Sequence, residues 1–345
     1  MRYPAADGFF MPAEWHPHGR CWMAWPCRAE LWGERLDMAR TAYAEVAKTI
    51  AAFEPVTMLA KPEDVAEVSL RCGSGVASVP MALDDSWVRD TGPTFVIDGK
   101  GGLAGVDWRF NAWGNKYQDY DRDAALAGAV LDHLGVPRYE APLVLEGGSI
   151  HVDGEGTLLT TEQCLLNPNR NPGLSREEIE RLLCAHLGVR SIIWLGQGLE
   201  DDETDGHIDN LACFVRPGVV LALSANDPED GNHAALQDNL ARLRAARDAK
   251  GRALEVVEVQ QPGRDEGENG RRLAKSYVNL YIANGGVVMP AFEDGKDRPA
   301  YEAVARCFSN REVRQVPVLD IVHGGGGIHC ITQQQPAAEP AAASD

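Results

Sequence analysis

Thr94-Phe95-Val96-Ile97-Asp98-Gly99-Lys100-Gly101-Gly102-Leu103-Ala104-Gly105-Val106 sets two runs of strand-forming residues on either side of an Asp-Gly turn. A tight hairpin asks for that turn chemistry, because glycine takes left-handed backbone angles without a Cβ clash. The pattern predicts strands over 94–97 and 102–106. The same signal returns around Asp153-Gly154 (149–152 and 157–160), Pro217-Gly218 (211–215 and 219–223) and Asn284-Gly285-Gly286 (276–283 and 287–289). Each hairpin is followed by a helix-like segment and then a short apolar strand. Residues 121–134 precede 142–145, 175–187 precede 191–195, 230–249 precede 254–259, and 298–308 precede 313–321. The N-terminal part follows the scheme more loosely, with a helix over 33–52 and a strand over 56–59. Ser175 and Glu178 form a capping-box pattern that marks one helix start.

The hairpin–helix–strand unit thus recurs about five times at roughly 55–70 residues, a period that suits a propeller-like array. An irregular α/β domain in which hairpins alternate with helices is the plain alternative. If the units close around an axis, their equivalent strand ends meet at one mouth, where chemistry would gather.

Four segments ahead of the hairpins are polar and glycine-rich: 84–93, 146–149, 201–210 and 323–330. They supply carboxylates, a histidine and a thiol. Cys330 follows Gly324–Gly327, whose backbone N–H groups, Gly327 among them, suit an anion, and a thiolate is a strong nucleophile. The bland reading makes the glycines a flexible turn and Cys330 a core residue. His207 and Asp209 alternate on a strand-like stretch, which would turn both side chains to one face. A histidine shuttles protons near neutral pH, and an adjacent carboxylate binds a cation. Asp90, Glu146 and Asp209 come from three repeats, and paired carboxylates grip a planar guanidinium through parallel hydrogen bonds. Asp84, Asp85 and Asp90 read alternatively as a solvated acidic turn paired with Arg89. Trp87 and Trp113 are candidate walls of the pocket, with Trp15 a weaker one, since aromatic faces attract cations. His207 with Asp209 would also offer two metal ligands, and His151 and His329 are recruits for such a site. The chain has no clear zinc spacing, however, and the reading here is metal-free and cofactor-free.

Composition narrows the partners. The 345 residues are 44% hydrophobic and carry 33 Lys and Arg against 51 Asp and Glu, a net charge of −18. Such a surface repels nucleic acid and anionic membranes and attracts cations. No stretch approaches the ~20 apolar residues of a membrane span. Residues 1–12 lack a basic region followed by an apolar run. Eight cysteines with no C-x-x-C pair then fit reduced thiols, and the expectation is a cytoplasmic protein. A homodimer is compatible with all this. The Ala/Pro-rich tail 337–345 is expected to be disordered, leaving 1–336 as one catalytic domain.

Five motifs also resemble a known family. They are Trp87-Val-Arg-Asp-Thr-Gly-Pro93, Phe110-Asn-Ala-Trp-Gly114, Glu146-Gly-Gly-Ser149, Gly206-His-Ile-Asp-Asn210 and Gly326-Gly-Ile-His-Cys-Ile-Thr-Gln-Gln-Gln-Pro336. In this order they look like the agmatine deiminases of the bacterial-type peptidylarginine deiminase family, within the guanidino-modifying superfamily. The resemblance runs from about residue 11 to 336 and implies an α/β fold, a five-bladed propeller (the pentein fold) with pseudo-fivefold repeats. It implies Cys330 as nucleophile, His207 as general acid/base, Asp90 and Asp209 on the guanidinium, and Glu146 beside the histidine. The implied reaction turns agmatine and water into N-carbamoylputrescine and ammonia, on the route to putrescine, with no redox or metal step. Two positions depart from the family pattern: Asp205 stands where asparagine is usual, and Lys116 where neutral or apolar residues are. Glu203 is the candidate partner for a distal ammonium. Another guanidine as substrate (arginine, peptidyl arginine or a methylated arginine) remains open, as do amidine transfer, binding without turnover, and a metal hydrolase built on His207, Asp209 and His151.

Overall fold

The computed structural model describes residues 2–268 and 270–338. Five small sheets carry the chain, four of three strands and one of four. The N-terminal sheet holds β1 (His18–Ala24), β2 (Val56–Ala60) and β3 (Val76–Pro80), all mutually parallel where paired. The next three strands, β4 (Thr94–Ile97), β5 (Leu103–Arg109) and β6 (Arg138–Val144), set the pattern for the rest. A hairpin pairs β4 with β5 antiparallel, and a helix over Leu126–Leu134 returns the chain so that β6 lies parallel to β5. The same unit is built from β7 (His151–Val152), β8 (Thr157–Thr161) and β9 (Ser191–Leu195) around the helix Arg176–Leu187. It recurs in β10 (Ala212–Arg216), β11 (Val219–Ser224) and β12 (Glu255–Gln260), and in β13 (Tyr281–Ala283), β14 (Gly286–Ala291) and β15 (Glu312–Pro317).

The last strand, β16 (Gln333–Pro336), pairs antiparallel with β1, from His18 opposite Pro336 to Trp22 opposite Gln333. Both ends of the chain therefore share one blade, and the five-bladed α/β propeller is closed by that pairing. In the four three-stranded sheets the middle strand lies between a hairpin partner and a parallel partner, while β2 lies between two parallel partners. β2, β8 and β11 are buried at every position, as strands covered on both faces must be.

Most expected elements stand within a few residues of their sequence bounds, and the Ser175–Glu178 capping box is formed in both directions. Four readings need correction. Of 276–283 only Tyr281–Ala283 is strand, and the residues before it turn inward. The strand expected over 313–321 ends at Pro317 and gives way to a helical turn, Leu319–Val322. Residues 332–335, read as a polar segment following the cysteine, largely become the closing strand. β1, β3 and the helix Val65–Cys72 carry no expected element. Ala337, the first residue of the expected tail, donates its N–H to the Pro17 carbonyl at 2.7 Å, and the tail from 339 on lies outside the described residues.

A buried polar knot stitches the closing blade to its neighbour. Glu54 accepts the Tyr281 hydroxyl at 2.7 Å and the Asn284 N–H at 2.7 Å, with His18 Nδ1 3.0 Å away. Asn284 in turn exchanges two 2.9 Å bonds with the backbone of His18. Removing one member leaves the others buried and unpaired, which typically costs about 3–5 kcal/mol. Glu54→Ala is therefore expected to lower unfolding free energy by about 3 kcal/mol in urea titration; a loss below about 1 kcal/mol would show the knot to be dispensable.

Candidate active site

Three of the polar segments, with the loop of Trp113 and Tyr117, line one pocket through Trp87, Asp90, Trp113, Tyr117, Glu203, Thr204, Gly324, Gly325, Gly326 and Cys330, and a fourth places Glu146 beside His207. The fifth contributor is the segment ahead of β13, which supplies Asn279. Its amide Nδ2 donates to Cys330 Sγ at 3.2 Å and to Asn210 Oδ1 at 3.0 Å, and its Oδ1 accepts the His329 N–H at 2.8 Å. Sequence reasoning missed it, because one asparagine in an apolar run reads as part of a strand.

Cys330 is buried at the floor, with Sγ 3.6 Å from Asp209 Oδ2. Burial pushes its thiol well above the ordinary range, and Asp209 and Asp90 push the same way. Asp209 Oδ2 accepts from His329 Nδ1 at 2.9 Å, while its Oδ1 is buried without a partner. Burial alone would raise the Asp209 carboxyl, but His329 brings it below the usual value. Asp90 is oriented by the Gly148 N–H on Oδ1 and the Trp113 indole N–H on Oδ2, both at 2.9 Å. Its pKa is raised by burial, against the pull of His207.

His207 is fully buried, and neither ring nitrogen has a hydrogen-bond partner. Asp90 Oδ1 stands 3.8 Å from Nδ1 and Glu146 Oε2 3.7 Å from Nε2. Burial works against charge on this ring, yet Asp90, Cys164 and Glu146 together hold its pKa well above the ordinary value. The surroundings thus favour the protonated ring, and neither nitrogen is committed to an acceptor among the described residues. His207 and Asp209 do not lie on a strand as expected: Ile208–Asn210 is a single 3-10 turn. Gly148 nonetheless brings the two together. A Cβ there would lie 2.6 Å from His207 Nδ1, 2.9 Å from Asp90 Oδ1 and 3.0 Å from Asp209 Oδ2.

The glycine run before Cys330 works mainly by leaving room. Only Gly325 takes a positive φ, at 103°; a Cβ on Gly326 would meet the Trp87 ring at 2.5 Å, and one on Gly327 would meet Asn279 Oδ1 at 2.5 Å. Trp87 stacks on Trp32 at 5.7 Å between centroids, its indole N–H bound to Asp85 at 3.0 Å. The acidic turn is thus no solvated cluster paired with Arg89. Arg89 donates instead to the His329 carbonyl and, at 2.7 Å, to Gln334. Trp15 is absent from the pocket lining. His151 lies beside Glu14 and His329, and His207, Asp209 and His151 do not form one ligand group among the described residues.

Glu146 is held by a cation that the sequence did not announce. Arg170 Nε donates to Glu146 Oε1 at 2.7 Å, and its Nη1 donates to Asp205 Oδ2 at 2.8 Å. The two positions departing from the family pattern touch each other: Lys116 Nζ donates to Asp205 Oδ1 at 2.8 Å and to the Glu203 carbonyl. Glu203 accepts the Tyr117 hydroxyl at 2.7 Å. Seven non-glycine residues have positive φ among the described ones, and six lie on these two loops: Ala112, Trp113, Asn115, Asp119, Asp201 and Asp205. Each such backbone costs roughly 1–2 kcal/mol, which the surrounding contacts must offset.

Fold and site together describe an α/β propeller with a buried thiol, a buried imidazole and several carboxylates around one small pocket. The family model described as Porphyromonas-type peptidyl-arginine deiminase matches residues 10–336, and the chain belongs to that family. The agmatine deiminase of Stutzerimonas stutzeri is 51% identical over 357 residues, 97% of each chain. That of Pseudomonas aeruginosa is 50% identical over 361 residues, 98% of each. A solved agmatine deiminase of Enterococcus faecalis superposes with a TM-score of 0.95 at 38% identity, covering 98% of both chains.

Proposed function

We propose that this chain is an agmatine deiminase acting through Cys330, with residues 1–336 as one catalytic unit. The observation that carries the reading is the pair of carboxylates that meet beside Gly148, Asp90 Oδ1 and Asp209 Oδ2, with the Cys330 sulfur 3.6 Å from the latter and Asp209 Oδ1 buried without a partner among the described residues. Two buried carboxylates beside a thiol repel one another until a flat cation enters. A guanidinium satisfies both and brings its carbon to the sulfur. The names of relatives at about half identity support agmatine as that cation.

The guanidinium offsets the carboxylates that hold the thiol protonated, so Cys330 loses its proton to solvent when substrate binds. Sγ attacks the guanidine carbon, and a tetrahedral adduct forms. His207 passes its proton to one amino group, which leaves as ammonia as the C–N bond breaks and a thiouronium remains. Neutral His207 then takes a proton from water, the hydroxide adds to the same carbon, and the C–S bond breaks as the adduct's hydroxyl proton passes to the departing sulfur, freeing the ureido product and the Cys330 thiol. Glu146, anchored by Arg170, steadies the imidazolium through both proton transfers.

Arginine would bring an α-carboxylate and need a cation at the mouth. Lys116 is engaged by Asp205 and the Glu203 carbonyl, and Arg271 stands against Asp201 and Glu203. The Glu203 carboxylate, held by Tyr117 and Arg271, is the acidic group at the mouth that would meet the free ammonium of agmatine. No helix of the described residues is long and apolar enough to cross a membrane, and the described cysteines are all free, which supports the cytoplasm as the place of action. Ammonia release is expected from agmatine with EDTA present, at least ~100-fold faster in kcat/KM than from arginine. Comparable turnover of arginine, or none of agmatine, would defeat the assignment.

A further inference from the structure

We propose that the Lys116–Asp205 ion pair sets the distance between the guanidinium-binding floor and Glu203, making Lys116 a specificity-determining residue. The inference rests on the agmatine reading above and deepens it. Lys116 is absent from the pocket lining, so its influence is exerted through what it holds. Its ammonium clasps the loop bearing Glu203 twice, at the Glu203 carbonyl and at Asp205. The adjacent Tyr117 aims the Glu203 carboxylate by its hydroxyl. Asp205 is fastened on its other oxygen to Arg170, which also grips Glu146 beside His207.

A continuous line of charged contacts therefore joins the mouth to the floor, and Lys116 is its charged link between the two loops, beside the Tyr117–Glu203 bond. Both loops carry left-handed backbone at non-glycine positions, a conformation that persists only where contacts hold it. Without the ammonium, the loop with Glu203 loses two of its ties, at the Glu203 carbonyl and at Asp205, and the reach of the carboxylate from Asp90 is held less tightly. A substrate with an amine at the matching distance would feel this; one without an amine would not.

The test compares wild type with Lys116→Met, which keeps the aliphatic stem, on agmatine, on homologues with one methylene more or fewer, and on butylguanidine. Lys116→Met is expected to lose roughly 30-fold in kcat/KM for agmatine, through KM, and to flatten the preference among spacer lengths. Butylguanidine turnover should stay within about twofold, which also reports an intact floor. Lys116→Arg, still able to pair with Asp205, should recover the spacer preference. Equal losses on agmatine and butylguanidine, or an unchanged spacer preference, would overturn the proposal. A wild type that turns over butylguanidine but not agmatine would instead bring down the substrate assignment and, with it, the role given to Lys116.

Discussion

Cys330→Ala is expected to reduce ammonia release from agmatine by about 10⁴-fold or more while leaving the protein folded. The sulfur is the only thiol in the pocket lining, so no neighbour can take its place. Cys164, the other thiol close to the acid/base histidine, lies behind it against Glu146, at 4.0 Å from Oε2. Deleting one buried sulfur removes modest packing, on the order of 1 kcal/mol, so lost activity would not report lost fold. The wild-type thiol has its own signature. Because burial and two carboxylates raise its pKa, a neutral alkylating agent should react appreciably only at alkaline pH. A cationic amidine electrophile, held by Asp90 and Asp209, should react at clearly lower pH. Coincident pH profiles for the two reagents would show that the carboxylates do not govern the thiol, and an active Cys330→Ala would remove the covalent mechanism altogether.

Gly148→Ala is expected to be nearly as damaging, at about 10³-fold in kcat, although the residue bears no chemistry. The added methyl would sit at 2.6–3.0 Å from atoms of His207, Asp90 and Asp209 at once. Asp90 is fixed by Trp113 and Asp209 by His329, so the displacement would fall on the buried His207 ring. Displacements near 1 Å in such a cluster cost about 10²-fold each in positioning. Stability should fall by only about 1–3 kcal/mol, as for other overpacked cores. Gly173→Ala, where a Cβ meets nothing within 4 Å, is the matched control and should be silent. Activity of Gly148→Ala within about fivefold of wild type would mean that the three side chains do not work at the spacing seen.

The hairpins were legible because their turns are local chemistry. Asp98-Gly99 and Asp153-Gly154 announce themselves within a handful of residues. The closing strand was not, since Gln333, Gln334 and Gln335 carry no apolar alternation and their partner lies at the other end of the chain. Periodicity reports burial, not pairing, which is why the apolar run before Tyr281 passed for strand. At the site, Cys330, His207 and the carboxylates stood out through glycine-rich, charged segments. Asn279 and Arg170 did not. One sits among apolar residues, the other within Asn167-Pro168-Asn169-Arg170-Asn171-Pro172, which reads as an ordinary loop. Their roles exist only in three dimensions, where an amide meets the sulfur and a guanidinium meets Glu146.

The pairing of β16 with β1 ties the appearance of catalysis to the end of synthesis. Cys330 lies three residues before that last strand, while the strand it joins begins at His18. Contacts so distant along the chain form late and slowly. A ribosome that has already released four blades has released a scaffold that bears Asp90, Glu146, His207 and Asp209 but neither Cys330 nor the His329 that holds Asp209. The reactive thiol arrives with the segment that locks the ring, so a chain cut short anywhere before it has an unfinished circle and no nucleophile.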